Sequence, residues 1–172
     1  MLSQNDLAVY RGLDGKRANF FLLNVDIHEH SKLLAEGNPH DVGTFYRLSS
    51  RFFELAVELN HGLVAPWQGD GGFAIFDASG DDAFKNVWNA ASDFLVPYQN
   101  QVLRNLLNQI KPESRKKWIK DYPKFYCLID LVDFVFDFNL AGNWCGYGLS
   151  SSLKNFKDVA KPNALAITKL AY

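Results

Sequence analysis

The sequence predicts an α+β domain, a mainly antiparallel sheet with helices packed on it, and three observations carry that expectation. A continuous apolar run, "NFFLLNVD", closes on an acid at Asp26, the pattern of a buried strand. Phe45, Leu48, Phe52, Leu55 and Leu59 recur at helical spacing, so one face of an amphipathic helix is apolar. Two short apolar runs meet at Gly69-Asp70-Gly71-Gly72, which reads as a hairpin.

Taken in order, residues 1–17 are an N-terminal arm and the strand ending at Asp26 follows. A polar loop with Gly37 and Pro39 leads into the amphipathic helix, expected from His40 to Asn60 and ended at Gly62. The hairpin strands are Leu63–Trp67 and Phe73–Asp77. A second helical stretch runs from Asp82 to Ile110, bent or interrupted at Pro97, which cannot donate within a helix. "KPESRKKWIKDYPK" is a basic, solvated linker bounded by prolines. "FYCLIDLVDFVFDFN" supplies one long strand or a strand pair, and "LAGNWCGYG" a glycine-rich loop. "LSSSLKNFKDVA" is a third, shorter helix and "ALAIT" a last strand. One domain over 1–172 is expected, without internal repeats.

Composition narrows the function classes. The chain is 48% hydrophobic and 15% aromatic, which excludes general disorder. A formal net charge of −1 gives no electrostatic footprint for nucleic acid. It leaves room for an anionic small molecule, because a bound cation supplies positive charge locally. Cys127 and Cys145 form no CxxC motif and are expected as reduced thiols of a cytoplasmic protein. No stretch approaches the ~20 apolar residues of a membrane span, and the N-terminal residues lack the apolar core of a signal peptide.

Asp26 and Asp70 each border a hydrophobic strand. If those strands are neighbours, both carboxylates emerge at one edge, where two like charges require a counter-ion or a shared proton. Oxygen ligands with open positions suit Mg²⁺ or Mn²⁺, and two such ions suit displacement at phosphorus. The loop "IHEHS" after Asp26 can turn backbone N–H groups toward phosphates. The bland reading of Asp70 is a residue tolerated by a turn. Asp26-x-His28-x-His30 invites a zinc reading, but no third nitrogen or sulfur ligand is near in the sequence.

These residues resemble the class III nucleotide cyclases. "VDIHEHSKL" resembles the family's opening strand and loop. "RFFELAVELNHGLVAPWQGDGGFAIF" resembles its helix, His-Gly and Gly-Asp-Gly hairpin, and "LKNFKDVAKPNALAITKLAY" its closing helix, Ala-Lys-Pro turn and last strand. Together they hold about one third of the chain's residues, in order. The resemblance implies a ferredoxin-like cyclase fold and a head-to-tail homodimer with active sites at the interface. It also implies two Mn²⁺ or Mg²⁺ ions per site and attack of a ribose 3′-hydroxyl on the α-phosphorus of a nucleoside triphosphate. Carried over by position, Asp26 and Asp70 are metal ligands, with the Ile27 carbonyl beside them. Ile27, His28, Glu29, His30 and Ser31 form the phosphate loop.

The family's purine-reading residues are missing. Pro66 stands four residues before Asp70, where purine cyclases carry Lys or Glu. Two registers near the closing helix put Ser151 and Asn155, or Ser150 and Lys154, on the family's Asn and Arg positions. The same registers put Gly148 or Tyr147 on the second base-reading position. Lys154 or Asn155 is therefore the candidate for transition-state stabilisation, Lys as a point charge and Asn as a neutral donor. The short layout and lost purine contacts resemble the Pycsar pyrimidine cyclases, bacterial antiphage enzymes making cyclic UMP or cyclic CMP. A bulkier wall at Tyr46 or Trp67, with Pro66 and Gly148, would suit the single ring of a pyrimidine. Arg47 and Arg51 either reach the base or are solvated and paired with Glu54. Asp130, Asp133 and Asp137 read as acids on the polar side of a strand, with Asp130 a candidate for an interface cleft. Uridylate cyclase leads; cytidylate cyclase, a divergent adenylate or guanylate cyclase, and a catalytically dead binding module remain alternatives.

Overall fold

The computed structural model of the protein describes residues 4–138 and 160–171. Its elements are α1 (Gln4–Gly12), β1 (Arg17–Ile27), α2 (His30–Glu36), α3 (Pro39–Leu59), β2 (Leu63–Val64), β3 (Gly71–Asp77), α4 (Ala83–Pro97), α5 (Leu103–Gln109), α6 (Pro112–Lys120), β4 (Phe125–Val135) and β5 (Leu165–Ile167). The strands form a five-stranded sheet in the order β2-β3-β1-β4-β5. β1 lies at its centre, antiparallel to β3 and β4, and β5 runs parallel to β4. The expected mainly antiparallel α+β architecture is therefore the one observed.

β1 is apolar on both sides because both sides are covered. Leu23, Val25 and Ile27 enter a core with Phe45, Phe53, Phe94 and Phe125, beneath the main helices. Phe20 and Leu22 face the other way, into a second cluster with Tyr10, Ile75 and Phe136. Strand alternation puts Asn24 and Asp26 on that second face too. α3 opens as its sequence demands, with Asn38 accepting from the His40 N–H and Pro39 in the first turn. It closes with His61 in the left-handed region (φ 66°) and the Gly62 N–H bonded to the Val57 carbonyl.

Four expectations change. The N-terminal arm contains α1, anchored by Tyr10, whose buried hydroxyl donates to the carbonyls of His61 and Ile75 at 3.0 Å each. The polar loop after Asp26 contains α2, which buries no residue. The basic linker contains α6, held by Trp118, 3% exposed in the core. The first hairpin strand is short, only Leu63–Val64, beyond which a single bridge joins Gln68 to Gly71.

Pro97 does interrupt the second helical stretch. The chain passes through a π-helical turn at Tyr98–Val102 between α4 and α5. β4 is one long strand, not a pair. The expected third helix, with Ser150, Ser151, Lys154 and Asn155, lies outside the described residues, as do Cys145, Tyr147 and Gly148. Cys127 is buried with a free thiol. Among the described residues, no helix is long and apolar enough to cross a membrane.

Candidate functional site

The β1–β3 register decides where the two acids go. Asp26 pairs with Gly71, and the Ile27 N–H donates to the Asp70 carbonyl at 2.7 Å. Asp26 and Asp70 therefore sit on adjacent strands at the same end of the sheet. Gly71 permits the close approach: a Cβ there would lie 2.1 Å from the Val25 carbonyl oxygen and 3.0 Å from the Asp26 Cα.

The hairpin turn spans Gln68 to Gly71, closed by Gln68 N–H to Gly71 O at 2.9 Å and the reverse bond at 3.1 Å. Gly69 takes the positive φ of 55°, whereas Asp70 does not, the pattern of a type II′ turn. The turn's special backbone demand thus falls on Gly69, and turn geometry makes no claim for an acid at position 70.

The electrostatics of Tyr46 register both acids. Its hydroxyl is pushed above the ordinary tyrosine value, first by burial, then by the charges of Asp70 and Asp26. Its Oη is buried without a hydrogen-bond partner, and its ring meets His30 edge-on at 5.9 Å. Asp26 is itself 8% exposed. Two carboxylates at neighbouring strand ends, with the Ile27 carbonyl adjoining, form an all-oxygen donor set. That set suits a hard cation such as Mg²⁺ or Mn²⁺, which fills its other positions with water or phosphate. Among the described residues no three His, Cys, Asp or Glu side chains converge to hold a metal by themselves. His28 and His30 separate, His28 against Tyr126 at 5.2 Å and His30 against Tyr46, so the zinc reading finds no cluster.

The phosphate loop is narrower than expected. The Ile27 N–H is spent on Asp70, and the His28 N–H donates to the Lys124 carbonyl at 2.9 Å, so neither is available to a phosphate. Glu29 turns the chain with φ 53° and holds Lys32 through its side chain at 3.3 Å. His30 and Ser31 begin α2, where first-turn N–H groups have no carbonyl within the helix.

A groove of about 210 Å³ adjoins the acids, lined by Asn24, Asp26, Pro66, Gln68, Asp70 and Phe73 among others. Pro66 is exposed at its wall. Trp67, the next residue, goes the opposite way: it lies on Gly72 and meets Phe53 at 6.0 Å and Phe125 at 6.3 Å. Neither Tyr46 nor Trp67 is among the described residues that line this groove; both pack against the helix-side core.

Arg51 pairs with Glu54 at 2.9 Å and is exposed, and Arg47 is exposed as well. Asp130 is tied down within the sheet. It accepts from the Leu131 N–H and the Thr168 hydroxyl, tying β4 to the chain beyond β5. Asp133 pairs with Arg17 at 2.9 Å. Sequence reading missed Asp41, which is fully buried and accepts from the Lys111 N–H at 3.2 Å and the Ser114 hydroxyl, capping α6. It also missed Asn24, whose only signal was a polar residue inside an apolar run.

No family model matches the sequence, and no curated protein sequence matches it. Solved structures do match in shape. The catalytic core of a rhodopsin-guanylyl cyclase with converted specificity, in complex with ATPαS, aligns with a TM-score of 0.67 at 11% identity, over 91% of this chain and 81% of that one. The guanylyl cyclase Cya2 aligns with a TM-score of 0.67 at 13% identity, over 92% and 78%. The adenylyl cyclase CyaB from P. aeruginosa aligns with a TM-score of 0.62 at 12% identity, over 91% and 80%. The chain has the fold of nucleotide cyclase catalytic domains, as its motifs implied.

Proposed function

We propose that this chain is a metal-dependent nucleotide cyclase that converts UTP to 3′,5′-cyclic UMP and pyrophosphate. The observation that carries the reading is the register bringing Asp26 and Asp70 to one sheet end beside a groove. Two like charges held close together by the backbone suit cation binding. The cyclase fold of the chain agrees with this chemistry.

In this reading the Asp26 and Asp70 carboxylates and the Ile27 carbonyl would hold two Mn²⁺ or Mg²⁺ ions. Held by these residues, such ions would supply charge neutralisation for the triphosphate and acidify the ribose 3′-hydroxyl. The chain's own contribution is placement. β1 is the central strand, so Asp26 is fixed by ladders on both sides, and Asp70 is fixed through its carbonyl by Ile27. The bond from O3′ to the α-phosphorus forms, the bond from that phosphorus to the bridging oxygen breaks, and pyrophosphate leaves with its electron pair. The hydroxyl proton passes to solvent. The first turn of α2, at His30 and Ser31, is the remaining candidate for contact with the phosphates. Lys154 or Asn155 is the candidate for stabilising charge in the transition state, and Gly148 for a base contact.

The pyrimidine preference rests on Pro66, which offers neither donor nor acceptor where purine cyclases read their base. A head-to-tail homodimer acting in the cytoplasm, as the signal-producing step of antiphage defence, completes the reading. The test is direct: purified protein is incubated with Mn²⁺ and each of the four nucleoside triphosphates, and products are identified by mass spectrometry. Cyclic UMP is the expected main product. Cyclic CMP would move the assignment to cytidylate, and cyclic AMP or cyclic GMP would overturn the pyrimidine assignment. No cyclic product from any substrate would overturn the reading as a whole.

A further inference from the structure

Tyr46 carries a hydroxyl that the fold shields from solvent and leaves without a hydrogen-bond partner. Its ring packs against the helix-side core, so phenylalanine would fill the same space without an unsatisfied donor. Folding therefore does not account for the oxygen; its position does. Phe45, the preceding residue, stacks on Phe125 at 5.7 Å, and Phe125 pairs with Ile27 across the β1–β4 ladder. The Ile27 N–H in turn holds the Asp70 carbonyl at 2.7 Å. These contacts set α3 against the strand ends that carry Asp26 and Asp70. The Tyr46 ring also meets His30, in the segment that follows Asp26, edge-on at 5.9 Å. After burial itself, the charges of Asp70 and Asp26 are what act on the hydroxyl. The two carboxylates are thus the acceptors within its electrostatic reach.

We infer that the Tyr46 hydroxyl is a positioning donor for the Asp26–Asp70 pair, an inference that rests on the metal site of the cyclase reading above. Tyr46 is not among the residues lining the groove, which Asp26 and Phe73 border on the other face of the sheet. The phenol therefore approaches the acids from behind and acts through them. Carboxylates that hold a hard cation are themselves steadied by hydrogen bonds, which fix their orientation. Such bonds are often long or poorly aligned before a site is filled and tighten when it is. The residue type suits the task. A lysine here would form an ion pair with an acid and compete with a cation for it. A neutral phenol gives one proton, orients a carboxylate oxygen and leaves its charge in place.

The test compares wild type with Tyr46→Phe, which removes only the oxygen. Mn²⁺ uptake by the nucleotide-free protein is followed through loss of the free ion's electron paramagnetic resonance signal. The Mn²⁺ concentration for half-maximal turnover is measured with each of the four nucleoside triphosphates, and a thermal melt without metal reports folding. Tyr46→Phe is expected to melt at or above the wild-type temperature, since the hydroxyl has no hydrogen bond to lose. Its Mn²⁺ affinity falls about tenfold or more and the half-maximal Mn²⁺ rises to match, while kcat at saturating Mn²⁺ falls less. A packing defect would instead lower the melt and leave metal affinity alone. If wild type cyclises a triphosphate, and the variant keeps wild-type Mn²⁺ dependence or melts several degrees lower, the role of Tyr46 is overturned and the cyclase reading stands. If wild type takes up Mn²⁺ without cyclising any triphosphate and Tyr46→Phe weakens that uptake, the cyclase reading fails and the role of Tyr46 holds. If wild type neither takes up Mn²⁺ nor cyclises, both are overturned.

Discussion

Replacing Gly71 by Ala tests the central geometric claim with a single methyl group. Gly71 is not in the left-handed region, so alanine meets no backbone penalty there. The obstacle is contact: the new Cβ would lie 2.1 Å from the Val25 carbonyl oxygen. Reaching even 3.0 Å, below which real Cβ contacts hardly occur, requires β3 to withdraw from β1 by about 0.9 Å, the difference between those two distances. Neither atom belongs to a flexible side chain, so the strands themselves must part. Overpacking of this kind costs about 1–3 kcal/mol. The functional cost is larger, because a ~1 Å displacement of a reacting constellation is worth about a hundredfold in rate. Gly69→Ala is the control. It meets no atom within 4 Å but must hold φ +55°, so it costs about 1–2 kcal/mol without moving Asp26 against Asp70. Urea melts and steady-state turnover with Mn²⁺ separate the two effects. Gly71→Ala with wild-type turnover would refute the claim that the β1–β3 approach positions the acids.

Other outcomes follow from the same structure. Asp70→Asn is expected to lose at least a hundredfold in turnover while melting near the wild-type temperature, since Gly69 meets the turn's backbone demand; a Mn²⁺ titration of turnover would reveal any residual activity. Tyr10→Phe removes the single hydroxyl proton shared between two backbone carbonyls, so a urea melt should register a loss of about 1–3 kcal/mol. Asp41→Ala uncaps α6 and leaves the Ser114 hydroxyl and Lys111 N–H without their acceptor, with an expected loss of about 2–4 kcal/mol in the same assay. The pH dependence lies on the alkaline side. Burial raises Tyr10, Tyr98 and Cys127 above their ordinary values, so in this range the unfolded chain loses protons that the folded chain retains. Stability is therefore fully present below about pH 8.5 and falls as pH rises through about 10. Urea midpoints unchanged between pH 8 and pH 11 would contradict this.

Much of the fold was legible because its signals are local. The apolar run of β1, the helical period of α3, the Gly-rich hairpin and the break at Pro97 each declare themselves within a short window. α2 and α6 were not legible for the same reason. α2 buries nothing, and α6 is strongly hydrophilic apart from Trp118, so neither carries an amphipathic stripe. α6 is held instead by Asp41, distant in sequence, which no window could connect to it.

The candidate site divides along the same line. That Asp26 and Asp70 border hydrophobic strands was written in the residues. That the strands pair directly, with Asp26 opposite Gly71, was decided by register, a property of two chains of contacts and not of either segment. Side of the sheet was settled in the same way. Pro66 and Trp67 are neighbours in sequence, yet one lines the groove and the other joins the core, because Trp67 finds Phe53 and Phe125 only in three dimensions. Residue chemistry and spacing determined which groups this protein owns. Tertiary structure alone decided which of them share a solvent-filled space, since burial and proximity are sums over residues that the linear order keeps apart.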